Sequence, residues 1–194
     1  MGALVLAKTL AKTLSVPLLS SETTRLLVDL NRSLHHHHLF SEFTGHCDKQ
    51  AKEKILAEYY FQYRYQVESR IINTINKNNT VIHFSIHSFT PELKGEKRNA
   101  DIGLLYDPQR RNEVYLCKRL QKQLQDLLPS LNIRRNYPYR GTADGLTTYL
   151  RRQFSQKKYC GIEIEMNQKH VLSSSRKWSE LQKLVGDAII KCID

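Results

Sequence analysis

The chain of 194 residues carries 30 lysines and arginines against 19 acidic residues, a formal charge of +11, with 40% apolar and 25% charged residues. That length accommodates one domain with a sizeable core, and those fractions exclude a disordered or fibrous chain. No apolar run approaches the ~18 residues of a transmembrane helix. The basic excess is spread through every segment and nowhere denser than the RR pairs at 110–111, 134–135 and 151–152, which excludes a basic nucleic-acid-binding tail.

In chain order, MGALVLAKTLAKTLSVPLL has lysines and no acid, as transit peptides do. Leu4, Leu6, Leu10 and Leu14, with Lys8 and Lys12 stacked at i,i+4, read instead as an ordinary helix over 3–14, followed by an extended stretch around VPLLS. RLLVDL (25–30) reads as a strand and NRSLHHHHLFSEFTGH as a loop, its histidines 35–38 native loop residues. Asp48 is placed to cap a long amphipathic helix over 48–77. VIHFSIH follows as a strand, SFTPELKGEKRN as a loop, ADIGLLYD as a strand, and EVYLCKRLQKQLQDLLP as a helix stopped by Pro129. NIRRNYPY is extended, GTADG turns, LTTYLRRQF is helical, YCGIEIEMN is a strand and SSRKWSELQKLVGDAIIKCI a terminal helix. Strands alternating with helices imply a mostly parallel sheet covered on both faces, in one domain spanning 1–194. Cys47, Cys117, Cys160 and Cys192 form no CxxC, which excludes zinc-ribbon and thioredoxin-like sites and points to reduced thiols in the cytoplasm.

The histidines of VIHFSIHSFTP are four apart. On a helix both would reach one ion; on a strand they share a face but stand roughly 13 Å apart, too far for that. Val81, Ile82, Phe84 and Ile86 favour the strand, which leaves His87, with Ser88, emerging at its carboxyl end, where open α/β sheets place ligands. Two other strands also run into polar groups: RLLVDLNR ends in Asp29, Asn31 and Arg32, and GIEIEMNQ carries Glu163, Glu165 and Asn167 on one face. Two carboxylates ~7 Å apart on a buried strand need an ion, an arginine or hydrogen bonds to offset their desolvation. Each feature alone also reads as structural: a satisfied histidine, an exposed edge strand, a strand cap. Together they describe a hydrolytic metal site, with imidazole as ligand, carboxylate as general base and arginine for an oxyanion or a substrate carboxylate. In RNYPYRGTADGLTTYLRR, Pro138, Gly141 and Gly145 fix a loop whose Arg140, Thr142 and Thr147 suit an anionic substrate, or make a well-formed turn.

In this order, RLLVDLNRS, SIHSFTP, RNADIGLLYD, NYPYRGTADGLTTYLRR and YCGIEIEMNQ resemble the N-formylglutamate amidohydrolase family, over roughly 2–185. That family is related to zinc carboxypeptidases. DLNR (29–32) is similar to their carboxylate-binding Asp-x-Asn-Arg segment, and SIHS (85–88) to their strand-end zinc histidine. The resemblance implies a three-layer α/β/α fold of the zinc-exopeptidase (phosphorylase/hydrolase-like) type, with a mostly parallel or mixed central sheet. It implies a Zn2+-dependent amidohydrolase that splits N-formyl-L-glutamate, or a related N-acyl amino acid, into the carboxylate and the free amino acid. His87 would bind the metal, Glu165 would be the general base with Glu163 the second choice, and Asn31, Arg32, Arg98, Asn136, Arg140, Thr142 and Arg151 would hold the anionic substrate.

Family members begin with a further strand and a His-containing motif that supplies the other zinc ligands, whereas this sequence opens with MGAL, where the family is already in its first long helix. The expectation is therefore a domain truncated at its N-terminus relative to the family, whose remaining zinc ligands are not found in this chain. The alternative is a non-catalytic relative that binds a small anion or a partner protein. Nucleic acid and membrane are not expected as partners.

Overall fold

The computed structural model describes residues 2–193 and divides into two compact units, each assembled from separate stretches. The first comprises residues 1–18, 82–142 and 160–194, and the second 19–81 and 143–159.

The first unit is built on a four-stranded sheet in the order β1-β6-β4-β5, from β1 (Val81–Phe89), β4 (Ile102–Leu105), β5 (Ile133–Arg135) and β6 (Tyr159–Asn167). A two-stranded antiparallel hairpin, β2 (Glu92–Leu93) and β3 (Glu96–Lys97), occupies the segment read as a loop. β4 is parallel to β5 but antiparallel to β6, with Gly103 opposite Glu165 and Leu105 opposite Glu163, so the sheet is mixed. One face is apolar: Ile102, Leu104, Ile162, Ile164 and Met166, flanked by Phe84 and Ile86, pack into one core. Helices α1 (Ala3–Leu14), α4 (Arg111–Leu127) and α7 (Ser175–Ile193) contribute Leu6 and Leu10, Leu120 and Leu124, and Val185 and Ile189 to that core. α7 packs on both α1 and α4. The helix over 3–14 therefore forms as expected, with Leu6 and Leu10 buried. A short α6 (Gln168–Val171) follows β6, capped by the Asn167 side chain, which accepts the Lys169 N–H at 3.0 Å.

The second unit contains α2 (Lys49–Ile55), a π turn (Leu56–Tyr60), α3 (Phe61–Asn76) and α5 (Leu146–Gln153). Asp48 caps α2 as expected, its carboxylate accepting the Ala51 N–H at 2.7 Å. One sequence expectation fails here: residues 25–30 form turns rather than a strand. Only Val28 of RLLVDL is fully buried, against Leu39 and Tyr60, while Leu26 is exposed. The Asp29 carboxylate then takes the Asn31 N–H at 3.0 Å, an Asx turn that turns the backbone out of an extended path. The histidines 35–38 do lie in a loop, with the rings of His36 and His37 stacked at 4.7 Å.

Candidate active site

Strand parity decides what faces what. On β1 and β6, Phe84, Ile86, Ile162, Ile164 and Met166 enter the apolar core, so His83, Ser85 and His87 share the opposite side of the sheet with Glu163 and Glu165. β1 continues to Phe89, two residues beyond His87, and His83 and His87 are thus separated along a strand as the sequence required. The His87 Nε2 lies 3.0 Å from the Ser85 hydroxyl, and the residue is half-buried. Glu163 and Glu165 are 9% and 6% exposed, which places two acids where desolvation is costly. Gly103 is what lets Glu165 lie there. A Cβ at 103 would sit 2.1 Å from the Tyr137 carbonyl oxygen and 3.3 Å from the Glu165 Cβ. Asn167, on the same face, is spoken for structurally: its Nδ2 donates to the Ala100 carbonyl at 2.8 Å.

Around the ends of these strands the first unit offers several of the expected substrate-binding groups. Arg98 stands 5.8 Å from the Phe89 ring centroid and donates to the Tyr139 hydroxyl at 3.0 Å, close to the carboxyl end of β1. Arg140 and Thr142 are exposed on the following turn. Asn136 adopts a left-handed conformation (φ 49°), which asparagine tolerates, and its Oδ1 accepts the N–H groups of Tyr106 and Gly141, each at 3.0 Å. Its side-chain carbonyl thus shapes the turn. Gly141 sits so close to Tyr106, whose backbone N would lie 2.2 Å from a Cβ, that no side chain fits.

In the second unit, Asn31 and Arg32 belong to the turn made by Asp29. The Asn31 Oδ1 accepts the Leu146 N–H at 2.8 Å and so caps α5. The Arg32 Nη1 donates to the Asp144 carbonyl at 2.9 Å, its Nε lies 3.8 Å from the Asp29 carboxylate, and its side chain is 33% exposed. These contacts use part of a five-donor fork. The Asp144 carboxylate accepts the Ser33 N–H at 3.0 Å. Burial acts to raise the Asp144 pKa, but the Ser33 hydrogen bonds and the nearby His36 and Arg32 prevail and hold it below its ordinary value. Arg151, 8% exposed on α5, reaches the Thr148 hydroxyl at 3.4 Å, and Thr147 is fully buried one turn before it.

Sequence reading missed two groups here: Asp144 and Arg64. Arg64, 6% exposed, occupies the buried stripe Tyr60, Arg64, Val67, Ile71, where helical periodicity calls for an apolar residue. That mismatch was the available signal. Its guanidinium lies 5.0 Å from the Tyr60 ring centroid and 4.5 Å from that of Tyr149. Burial raises the pKa of Tyr60 against the opposing pull of Arg64, keeping its hydroxyl a donor.

A catalytic zinc takes three protein ligands and leaves a position for water. Among the described residues, no group of three or more His, Cys, Asp or Glu is placed to hold a metal ion. The donor set around His87 is therefore incomplete for such a centre. Cys117, Cys160 and Cys192 are buried. No helix among the described residues is long and apolar enough to cross a membrane.

The family model described as N-formylglutamate amidohydrolase matches residues 2–172. A crystallised gene product of Agrobacterium tumefaciens superposes with a TM-score of 0.80 at 22% identity, covering 100% of this chain and 78% of that one. The N-formylglutamate amidohydrolase of Ralstonia eutropha JMP134 superposes with a TM-score of 0.74 at 15% identity, covering 97% of this chain and 79% of that one. No curated protein matches the chain.

Proposed function

The chain belongs to the N-formylglutamate amidohydrolase family, and we propose from this that it hydrolyses the amide of N-formyl-L-glutamate or of a closely related N-acyl amino acid. The observation that carries this reading is the pair of buried acids, Glu163 and Glu165, on the same side of the sheet as His87. Water attacks the acyl carbon while the Glu165 carboxylate takes its proton. The carbon–nitrogen bond then breaks, and the same carboxyl returns the proton to the departing nitrogen, giving the carboxylate and the free amino acid. Glu163 is the second choice for this role.

N-formyl-L-glutamate is a dianion, which suits a basic protein. In the first unit Arg98, Arg140, Thr142 and the Asn136 amide are the groups proposed to meet it. In the second, Asn31, Arg32 and Arg151 carry the same expectation from the family pattern, and substitution of each is its own test. Zinc would polarise the acyl carbonyl and activate the water. With His87 as its one identified ligand it stays a proposal, and the chemistry assigned above rests on the chain's own side chains. Metal analysis of the purified protein decides it: stoichiometric zinc, lost in His87→Ala, supports it, and well under one zinc per chain removes it.

The test of the reaction is release of formate and glutamate from N-formyl-L-glutamate, followed by a panel of other N-acyl amino acids. Turnover of any of them supports the reading, and none turned over by the folded protein rejects it. The incomplete donor set favours one second reading, a non-catalytic relative that retains binding of a small anion or a partner protein. It predicts a raised thermal midpoint with N-formyl-L-glutamate and no products.

A further inference from the structure

We infer that Arg64 is a positioning residue that sets the affinity for a substrate carboxylate by fixing Arg32. This rests on the hydrolase reading above and on Arg32 as its carboxylate-binding arginine. The Arg64 Nη1 donates to the backbone carbonyls of Leu30 at 3.4 Å and Arg32 at 3.2 Å. The Arg32 carbonyl also accepts the Tyr60 hydroxyl at 2.7 Å. One carbonyl thus receives two donors, and the peptide from which the Arg32 side chain leaves is pinned on its C-terminal side. On the other side, the Arg32 N–H donates to the Asp29 carbonyl at 3.1 Å.

Arg64 is a buried cation with no salt-bridge partner among the described residues. Two aromatic faces and two carbonyls offset its desolvation instead. A leucine at this position of the stripe would be the cheaper choice for packing α3. What leucine cannot do is donate to the carbonyls of the turn from which the Arg32 guanidinium leaves. Bidentate recognition of a carboxylate tolerates little displacement of the fork, so a turn left to fluctuate weakens binding before it disturbs the bond-breaking step.

The experiment compares Arg64→Lys, Arg64→Met and Tyr60→Phe with Arg32→Ala and the Arg32→Ala/Arg64→Lys double variant, using N-formyl-L-glutamate. The expected result is a KM raised ~10-fold by the Arg64 variants with kcat within about twofold, a smaller rise for Tyr60→Phe, and no further rise when Arg64→Lys is added to Arg32→Ala. Additive effects in the double variant overturn the inference. So does an unchanged KM in folded Arg64→Lys protein whose thermal midpoint alone has fallen, since that marks a purely structural role. Calorimetric titration of N-formyl-L-glutamate into Glu165→Gln protein reads the same coupling without turnover. Failure of hydrolysis in the unsubstituted protein is therefore distinct from failure of this role, and absence of any binding overturns both.

Discussion

Glutamine matches glutamate in shape but cannot accept a proton, so Glu165→Gln isolates the base. It is expected to lower the rate by ~10²–10⁴-fold, measured as formate release, with Glu163→Gln the milder variant. The reverse order would assign the base to Glu163. These two acids were legible in the sequence because strand alternation is a local rule and places both on one face whatever their neighbours. The groups around Arg32 were not, because Asp144 and Arg64 reach it from 112 and 32 residues away. A second residue-scale prediction concerns Asp101. Its Oδ1 lies 2.6 Å from the His170 Nε2 and 2.7 Å from the Lys169 Nζ, and its Oδ2 accepts the Asn132 N–H at 2.8 Å. Burial acts to raise its pKa, but the bonds from Lys169, Asn132 and His170 prevail and hold it below the ordinary 3.8. The sign follows from linkage: the stabilisation is fully present above pH 3.8 and is lost as pH falls through the depressed folded value. Asp101→Asn should be less stable at neutral pH and show a flatter loss of stability in acid, read from urea midpoints between pH 7 and pH 2.

At the scale of elements, what could be read was set by how local each element's causes are. The helix over 3–14, the strand of VIHFSIH and the Asp48 cap follow from spacing and composition within a few residues, and all form. RLLVDL has the composition of a strand but lacks a strand partner, and an Asx turn with one buried anchor, Val28, decides it. Whether neighbouring strands run parallel is likewise not written locally, and the antiparallel β4–β6 pair comes from the path of the chain between them. The close approach of the Tyr137 carbonyl to β4 depends on the bare Cα of Gly103. Gly103→Ala should cost about 1–3 kcal/mol through overpacking against the Tyr137 carbonyl, measured by denaturant midpoint. Because the added methyl also presses on Glu165, folded Gly103→Ala protein should lose activity beyond what its stability explains.

For the molecule as a whole, the family match over residues 2–172 and the fold shared with relatives agree with the reading made from five short blocks of sequence. The blocks identified the family because each combines turn, strand-end and polar residues whose joint order is far rarer than any of them singly. They did not identify a complete metal centre, and no three donors converge on one among the described residues. The most direct measurement is therefore formate and glutamate production from N-formyl-L-glutamate by the purified chain, side by side with its Glu165→Gln and Glu163→Gln variants. The account predicts equimolar products from the unsubstituted protein and their loss when the base is replaced. Folded protein that yields neither product, or variants of both acids that turn over at the unsubstituted rate, would contradict it.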